Sequence, residues 1–151
     1  MKEADQRERF DVQLANDRMR ILVTSQCNLD CFYCHNEGQS KQASFMSASL
    51  FDRVLMALQG AGAAEITFSG GEPLLHPEIM SMVSSASSLA TRVTLVTNGT
   101  LVTPDVAMGL KDAGLTKIRL GVDSLRPNKP RPSVGYLSEA FALESLLGWL
   151  G

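Results

Sequence analysis

Aromatic residues are scarce in this 151-residue chain, at 6%, and neither sign of charge dominates: 14 Lys and Arg stand against 16 Asp and Glu, for a formal net charge of −2. Without a basic excess there is no electrostatic footprint for nucleic acid or for an anionic membrane surface. The mixed charges of Lys2–Arg9 read as a solvated terminus. No apolar run approaches the roughly 18 residues of a membrane span, and Met1-Lys2-Glu3-Ala4-Asp5 lacks the apolar core of a secretory signal. The expectation is a cytoplasmic protein that partners neither membrane nor nucleic acid. Cysteine is also rare, and its three copies, Cys27, Cys31 and Cys34, all fall between positions 27 and 34. An odd, crowded set of this kind suits a metal or redox site in a reducing compartment better than a disulfide framework.

What remains is ordinary globular composition, 44% hydrophobic and 20% charged. A chain of this length buries about two thirds of its unfolded surface, enough for one core without staples. Residues 1–18 read as a polar N-terminal segment and 19–151 as a single domain.

Along that domain strands alternate with helices. Met19–Thr24 is rich in β-branched and long apolar residues and reads as a first strand. Ser47 can cap a helix whose apolar positions Leu50, Phe51, Val54, Leu55 and Leu58 recur at helical spacing, up to the Gly60-Ala61-Gly62 break. Glu65–Ser69 is a second strand running into Gly70-Gly71. Pro77 is placed as the first residue of a second helix carrying Ile79, Met80, Met82, Val83, Ala86 and Leu89 despite five serines. Arg92–Thr97 is a third strand ending at the turn signal Asn98-Gly99. Thr103-Pro104 opens a helix that Gly114 closes, and Lys117–Val122 alternates as a fourth strand. The prolines 127, 130 and 132, among Arg126, Lys129 and Arg131, mark a loop, and a last amphipathic segment from Ser138 carries Leu143, Leu146, Leu147 and Leu150. No fifth strand follows, so the expectation is a domain incomplete at its C-terminus.

Four strand-then-helix repeats predict an α/β fold with a parallel sheet and right-handed crossovers. In such sheets the loops beyond the strands' carboxyl ends carry the site. Each unusual cluster falls at one of those ends: the cysteines, Gly70-Gly71-Glu72-Pro73, Thr97-Asn98-Gly99 and Asp123-Ser124. A single shared site follows from that coincidence.

Cys27-Asn28-Leu29-Asp30-Cys31-Phe32-Tyr33-Cys34 is a C-x3-C-x2-C arrangement. Three thiolates on one loop can hold three irons of a cubane cluster and leave the fourth open for chemistry. A zinc knuckle completed by His35 is the competing assignment, but adjacent Cys34 and His35 are poorly placed to fill two tetrahedral corners. An electron carrier would want a fourth thiolate, and the chain has none.

The C-x3-C-x2-C spacing with an aromatic residue before the last cysteine resembles the signature of the radical S-adenosylmethionine (radical SAM) superfamily. Gly70-Gly71-Glu72-Pro73 is similar to its GGEP motif, Val96-Thr97-Asn98-Gly99 to its segment after strand three, and Leu120–Leu125 to the segment after strand four. The resemblance implies a partial (βα)6 TIM-like barrel, of which about four units are present. It implies a [4Fe-4S] cluster on Cys27, Cys31 and Cys34 whose unique iron binds S-adenosylmethionine (SAM), reductive cleavage to a 5′-deoxyadenosyl radical, and hydrogen abstraction from substrate. It also implies SAM-binding roles for Gly70, Gly71 and Glu72 at the methionine end, for Thr97 and Asn98, and for Tyr33 near the adenine. A reducing partner such as flavodoxin or ferredoxin and a small-molecule or peptide substrate complete the expectation.

Arg20–Thr24 before Cys27-Asn28-Leu29, with Val122–Leu125, looks most like the GTP 3′,8-cyclase branch. That branch carries a second three-cysteine cluster, which this chain does not have, so a peptide- or metabolite-modifying member stays open beside it. From another class stands a non-catalytic cluster- or zinc-binding module, or an inactive fragment. Taken alone, Glu72 could be a helix-start anion partner. His76 is placed as the residue ordering the turn before Pro77, and the methionines as core filling.

Overall fold

The computed structural model describes residues 14–29, 31, 34 and 44–121. Four strands, β1 (Arg18–Thr24), β2 (Glu65–Gly70), β3 (Arg92–Thr97) and β4 (Lys117–Leu120), alternate with helices α1 (Ala48–Ala61), α2 (Ile79–Ser87) and α3 (Pro104–Asp112). All neighbouring pairs are parallel, and the spatial order is β1-β2-β3-β4, the order of the chain. Consecutive order with every crossover on one side builds a barrel wall rather than a doubly wound sheet.

The period-two alternation of the strands decides which side the helices take. Ile21 and Val23, Ile66 and Phe68, and Val93 and Leu95 are buried in one cluster with Phe51 and Leu58 of α1, Met82, Val83 and Ala86 of α2, and Leu110 of α3. Phe51 and Phe68 meet with ring centroids 5.8 Å apart. Burying side chains of this size stabilises the layer by about 1.5–3 kcal/mol each. The intervening residues face the other side, which is polar apart from Leu22. There Arg20 donates to Ser69 Oγ at 2.6 Å. Glu65, 4% exposed, accepts from Thr94 Oγ1 at 3.2 Å and lies 3.3 Å from Arg92, 3.4 Å from Arg18 and 3.9 Å from Arg119.

Helix boundaries follow local chemistry. Ser47 Oγ accepts the Leu50 N–H and caps α1, which ends at Gly62. Thr103 Oγ1 accepts the Val106 N–H, with Pro104 as the first residue of α3. The serines of α2 are accommodated because their hydroxyls turn back on the helix: Ser81 donates to the Glu78 carbonyl, and Ser87 to that of Ser84. One boundary differs from expectation. Pro77 is not the first helical residue; α2 starts at Ile79, and the proline in a first-turn position is Pro73 of the 3₁₀ turn Pro73–Leu75. His76 causes the delay, since its Nδ1 takes the Glu78 N–H at 3.1 Å and its carbonyl takes that of Ile79. Both bonds hold a turn where helix would otherwise begin. The first strand begins at Arg18, one residue before the expected start, and β4 ends at Leu120, with Gly121 outside the strand and Val122 outside the described residues. Residues 1–13 of the N-terminal segment, Asp123-Ser124, the proline-rich loop and the segment from Ser138 lie outside the described residues. Among those described, no helix is long and apolar enough to cross a membrane.

Candidate functional site

The carboxyl ends of β1, β2 and β3 are tied into one structure, and two glycines make the tie possible. β2 loses register with β1 after Leu22, so that Thr24 faces Gly70. Gly70 has φ +137°, and a Cβ there would run into the Thr24 carbonyl oxygen. A Cβ at Gly71 would run into the Gln26 carbonyl oxygen. With both side chains absent, the backbones close up: Gly71 N–H donates to Thr24 O and Glu72 N–H to Gln26 O, each at 2.8 Å. The segment leading into Cys27 is therefore zipped to the GGE segment by main-chain bonds.

The cysteine-bearing loop leaves and returns at one point. Ser25 N–H bonds Ser44 O at 3.0 Å, Met46 N–H bonds Val23 O at 2.8 Å, and Thr24 Oγ1 donates to Ser44 O at 2.8 Å. His76, 3% exposed, is the bracket behind this closure, with Nε2 2.9 Å from Met46 O and an edge-on contact to the Phe45 ring. Because Nδ1 accepts from Glu78, Nε2 carries the proton given to Met46. His76 thus orders its turn, as expected, and also fastens the loop's return.

Glu72 is fully buried. Its Oε1 accepts Leu74 N–H at 3.0 Å and Thr97 Oγ1–H at 2.8 Å, and its Oε2 accepts Asn98 N–H at 2.8 Å. The carboxylate caps the 3₁₀ turn and joins the end of β2 to the end of β3. Both of its carboxyl oxygens accept from protein donors in the interior. Thr97 is likewise buried, its hydroxyl also receiving the Gly99 N–H at 3.0 Å. Asn98 then reaches the thiol loop, with Nδ2 2.9 Å from Asn28 Oδ1 and 3.9 Å from Cys27 Sγ.

Cys27 and Cys31 are half-buried and Cys34 is exposed, with Cys34 N–H donating to Cys31 O at 3.0 Å. Burial pushes the Cys27 thiol above its ordinary pKa, and the Glu72 carboxylate and Cys31 add to the rise; donation from Leu29 N–H and from Asn98 opposes it. Among the described residues no three His, Cys, Asp or Glu side chains converge closely enough to hold one metal ion. Three thiols have no mutual attraction that would gather them, and the energy for that step comes from the metal–sulfur bonds themselves. The donor set nevertheless fits an iron–sulfur centre in kind: three sulfurs on one closed loop, at the carboxyl mouth of the sheet, with N–H groups aimed at Cys27 Sγ.

Cys27, Gly70, Gly71, Glu72, Thr97 and Asn98 are brought together, and Cys31 and Cys34 share their loop. Tyr33 and His35 lie outside the described residues. Asn28 and Thr100 were not singled out from sequence. Asn28 Nδ2 donates to Thr100 Oγ1 at 2.8 Å across 72 positions, and the sequence signal for it is adjacency to Cys27 and to Asn98-Gly99.

A barrel wall with a closed thiol-bearing loop at its carboxyl mouth defines the class of protein. Residues 21–142 match the family model described as Radical SAM superfamily. The chain belongs to the radical SAM superfamily. It is 35% identical over 114 residues to a probable GTP 3′,8-cyclase of Methanothermobacter marburgensis, covering 75% of this chain and 37% of that protein. It is 32% identical over 129 residues to one from Pyrococcus horikoshii, covering 85% and 41%. The chain thus spans about two fifths of the length of these curated relatives. Among solved structures, BtrN in complex with AdoMet and 2-DOIA matches with a TM-score of 0.64 and 26% identity over 72% of this chain and 46% of that one. The shared architecture is the partial TIM-like barrel, and the expected α/β fold holds.

Proposed function

We propose that the chain is the cluster- and SAM-binding part of an enzyme that cleaves SAM reductively, with a reaction of the GTP 3′,8-cyclase type. The observation that carries this reading is the linkage at the sheet's carboxyl mouth, where Glu72 joins the GGE segment to Thr97 and Asn98, and Asn98 reaches Cys27. Cys27, Cys31 and Cys34 would hold a [4Fe-4S] cluster. Bound there, such a cluster supplies the electron that splits the sulfonium of SAM and yields a 5′-deoxyadenosyl radical.

The chain's own residues provide position. Gly70, Gly71 and Glu72 would present main chain to the methionine end of SAM, and their packing on Thr24 and Gln26 ties that segment to the chain leading into the thiol loop. Thr97 and the Asn98 turn would form the adjoining wall, and the family resemblance assigns Tyr33 to the adenine end. The likeness to probable GTP 3′,8-cyclases supports the finer reaction. A reducing protein such as flavodoxin or ferredoxin delivers the electron in the cytoplasm.

The test is anaerobic reconstitution with iron and sulfide, followed by SAM and a chemical reductant. The expected result is a change in the electron paramagnetic resonance spectrum on SAM addition and release of 5′-deoxyadenosine. A loaded cluster whose spectrum ignores SAM would overturn the proposal.

A further inference from the structure

The side-chain amide of Asn98 has no hydrogen-bonding capacity left over. Nδ2 gives its two hydrogens to Asn28 Oδ1 at 2.9 Å and to Cys27 Sγ at 3.9 Å. Oδ1 accepts from Thr100 N–H at 2.9 Å and from Thr100 Oγ1–H at 2.6 Å. An amide offers two donors and an oxygen with two lone pairs, so all four places are taken by protein. Thr100 Oγ1 in turn accepts from Asn28 Nδ2 at 2.8 Å, closing a ring of three side chains beside the sulfur. The main chain of Asn98 is held from below by the buried Glu72 carboxylate.

A saturated amide held from two sides makes a poor ligand for a diffusing cofactor and a well-placed fixed donor to a neighbour. Its one contact with a reactive atom is the long N–H···S approach to Cys27, where Leu29 N–H is the second donor at 3.4 Å. Donors to a ligating sulfur stabilise negative charge there, and more so after the centre has gained an electron, so they raise its reduction potential.

We infer that Asn98 is a positioning residue that acts on the iron–sulfur centre through Cys27 Sγ, with Asn28 and Thr100 aiming it, and that its side chain sets the centre's reduction potential. This rests on the reading of Cys27 as a cluster ligand. Asn98 thereby joins the β3 end to the redox behaviour of the loop after β1, and makes the Asn28-to-Thr100 contact part of the electron-accepting device.

The experiment is a potentiometric titration of the reconstituted chain without SAM, comparing wild type, Asn98→Ala and Thr100→Val at matched iron and sulfide content. Asn98→Ala should shift the midpoint to a more negative value, and Thr100→Val, which loosens the aim but keeps the donor, should shift it less in the same direction. Equal midpoints in loaded wild type and loaded Asn98→Ala overturn the inference and leave the cluster reading standing. Should Asn98→Ala load no iron, Thr100→Val decides: a negative shift supports the inference, and a wild-type midpoint overturns it. Failure of the wild-type chain itself to load iron and sulfide removes the reading underneath.

Discussion

The Oε2 oxygen of Glu72 accepts the main-chain N–H of Asn98 at 2.8 Å, so a buried carboxylate at the end of β2 fixes the turn at the end of β3. The same carboxylate holds Thr97 Oγ1 and Leu74 N–H. Replacing Glu72 by Gln turns a donor toward groups that are themselves donors, and Glu72→Ala leaves them unmet. Either change should cost about 1–3 kcal/mol of stability, read by chemical denaturation. A neutral result would show that water satisfies those groups instead.

Gly71 and Gly109 are glycines with opposite expectations. Gly71→Ala drives a methyl group into the Gln26 carbonyl and should cost about 1–3 kcal/mol while lowering iron uptake. Gly109→Ala in α3 places its methyl at an ordinary 3.5 Å from Met80 Cε and should stabilise by about 1 kcal/mol through helix propensity. Paired thermal melts check both signs.

At the other end of the sheet, Glu65 is 5% exposed in its side chain, whereas its arginine partners Arg18, Arg92 and Arg119 are 64%, 54% and 53% exposed. Burial is therefore concentrated in the carboxylate. Glu65→Ala should cost about 1–3 kcal/mol, because Thr94 loses its buried acceptor. Each arginine changed singly to Gln should cost under about 1 kcal/mol. An arginine variant as damaging as Glu65→Ala would contradict this.

The raised pKa of Cys27 gives the iron-free chain a pH signature. The folded state keeps this proton more tightly than the unfolded chain, so the contribution to stability is full below the ordinary thiol value of 9.0 and is lost as pH rises through the folded value. Chelator-treated protein should become less stable on the alkaline side of pH 9.0, and Cys27→Ala should remove that part of the decline. Ligation needs the thiolate, so iron loading should run the other way and improve as pH rises.

The strands were legible from their β-branched and apolar content, with clean alternation in β4; the parallel sheet followed from the strand-then-helix repeats, and the barrel from the family resemblance. Ile66 and Phe68 name the helix-facing side of β2, and the same alternation assigns Glu65 and Ser69 to the other. That Glu65 would be buried was not legible, since an acidic residue opening a strand reads as solvated until Arg18, Arg92 and Arg119 are brought beside it. Ser47, Thr103 and Pro104 announced their helices through capping chemistry. Pro77 misled because the histidine before it captures the N–H of Glu78, a side-chain choice that helix-start rules do not weigh. At the site, the cysteine spacing and the GGE segment stood out from sequence. The inward turn of Glu72 and the Asn28–Asn98–Thr100 ring did not, because they depend on contacts between chain segments about 25 and 70 residues apart, created by the stacking of β1, β2 and β3.

The central claim is that Cys27, Cys31 and Cys34 together hold one iron–sulfur cluster. Iron and acid-labile sulfide should be measured in the anaerobically reconstituted chain and in the Cys27→Ser, Cys31→Ser and Cys34→Ser variants. The expected outcome is iron and sulfide in equal amounts in the wild type, with the characteristic brown absorption, and severe loss in each variant. A wild-type chain that stays colourless and takes zinc in preference to iron, or a serine variant that retains full iron and sulfide, would contradict it.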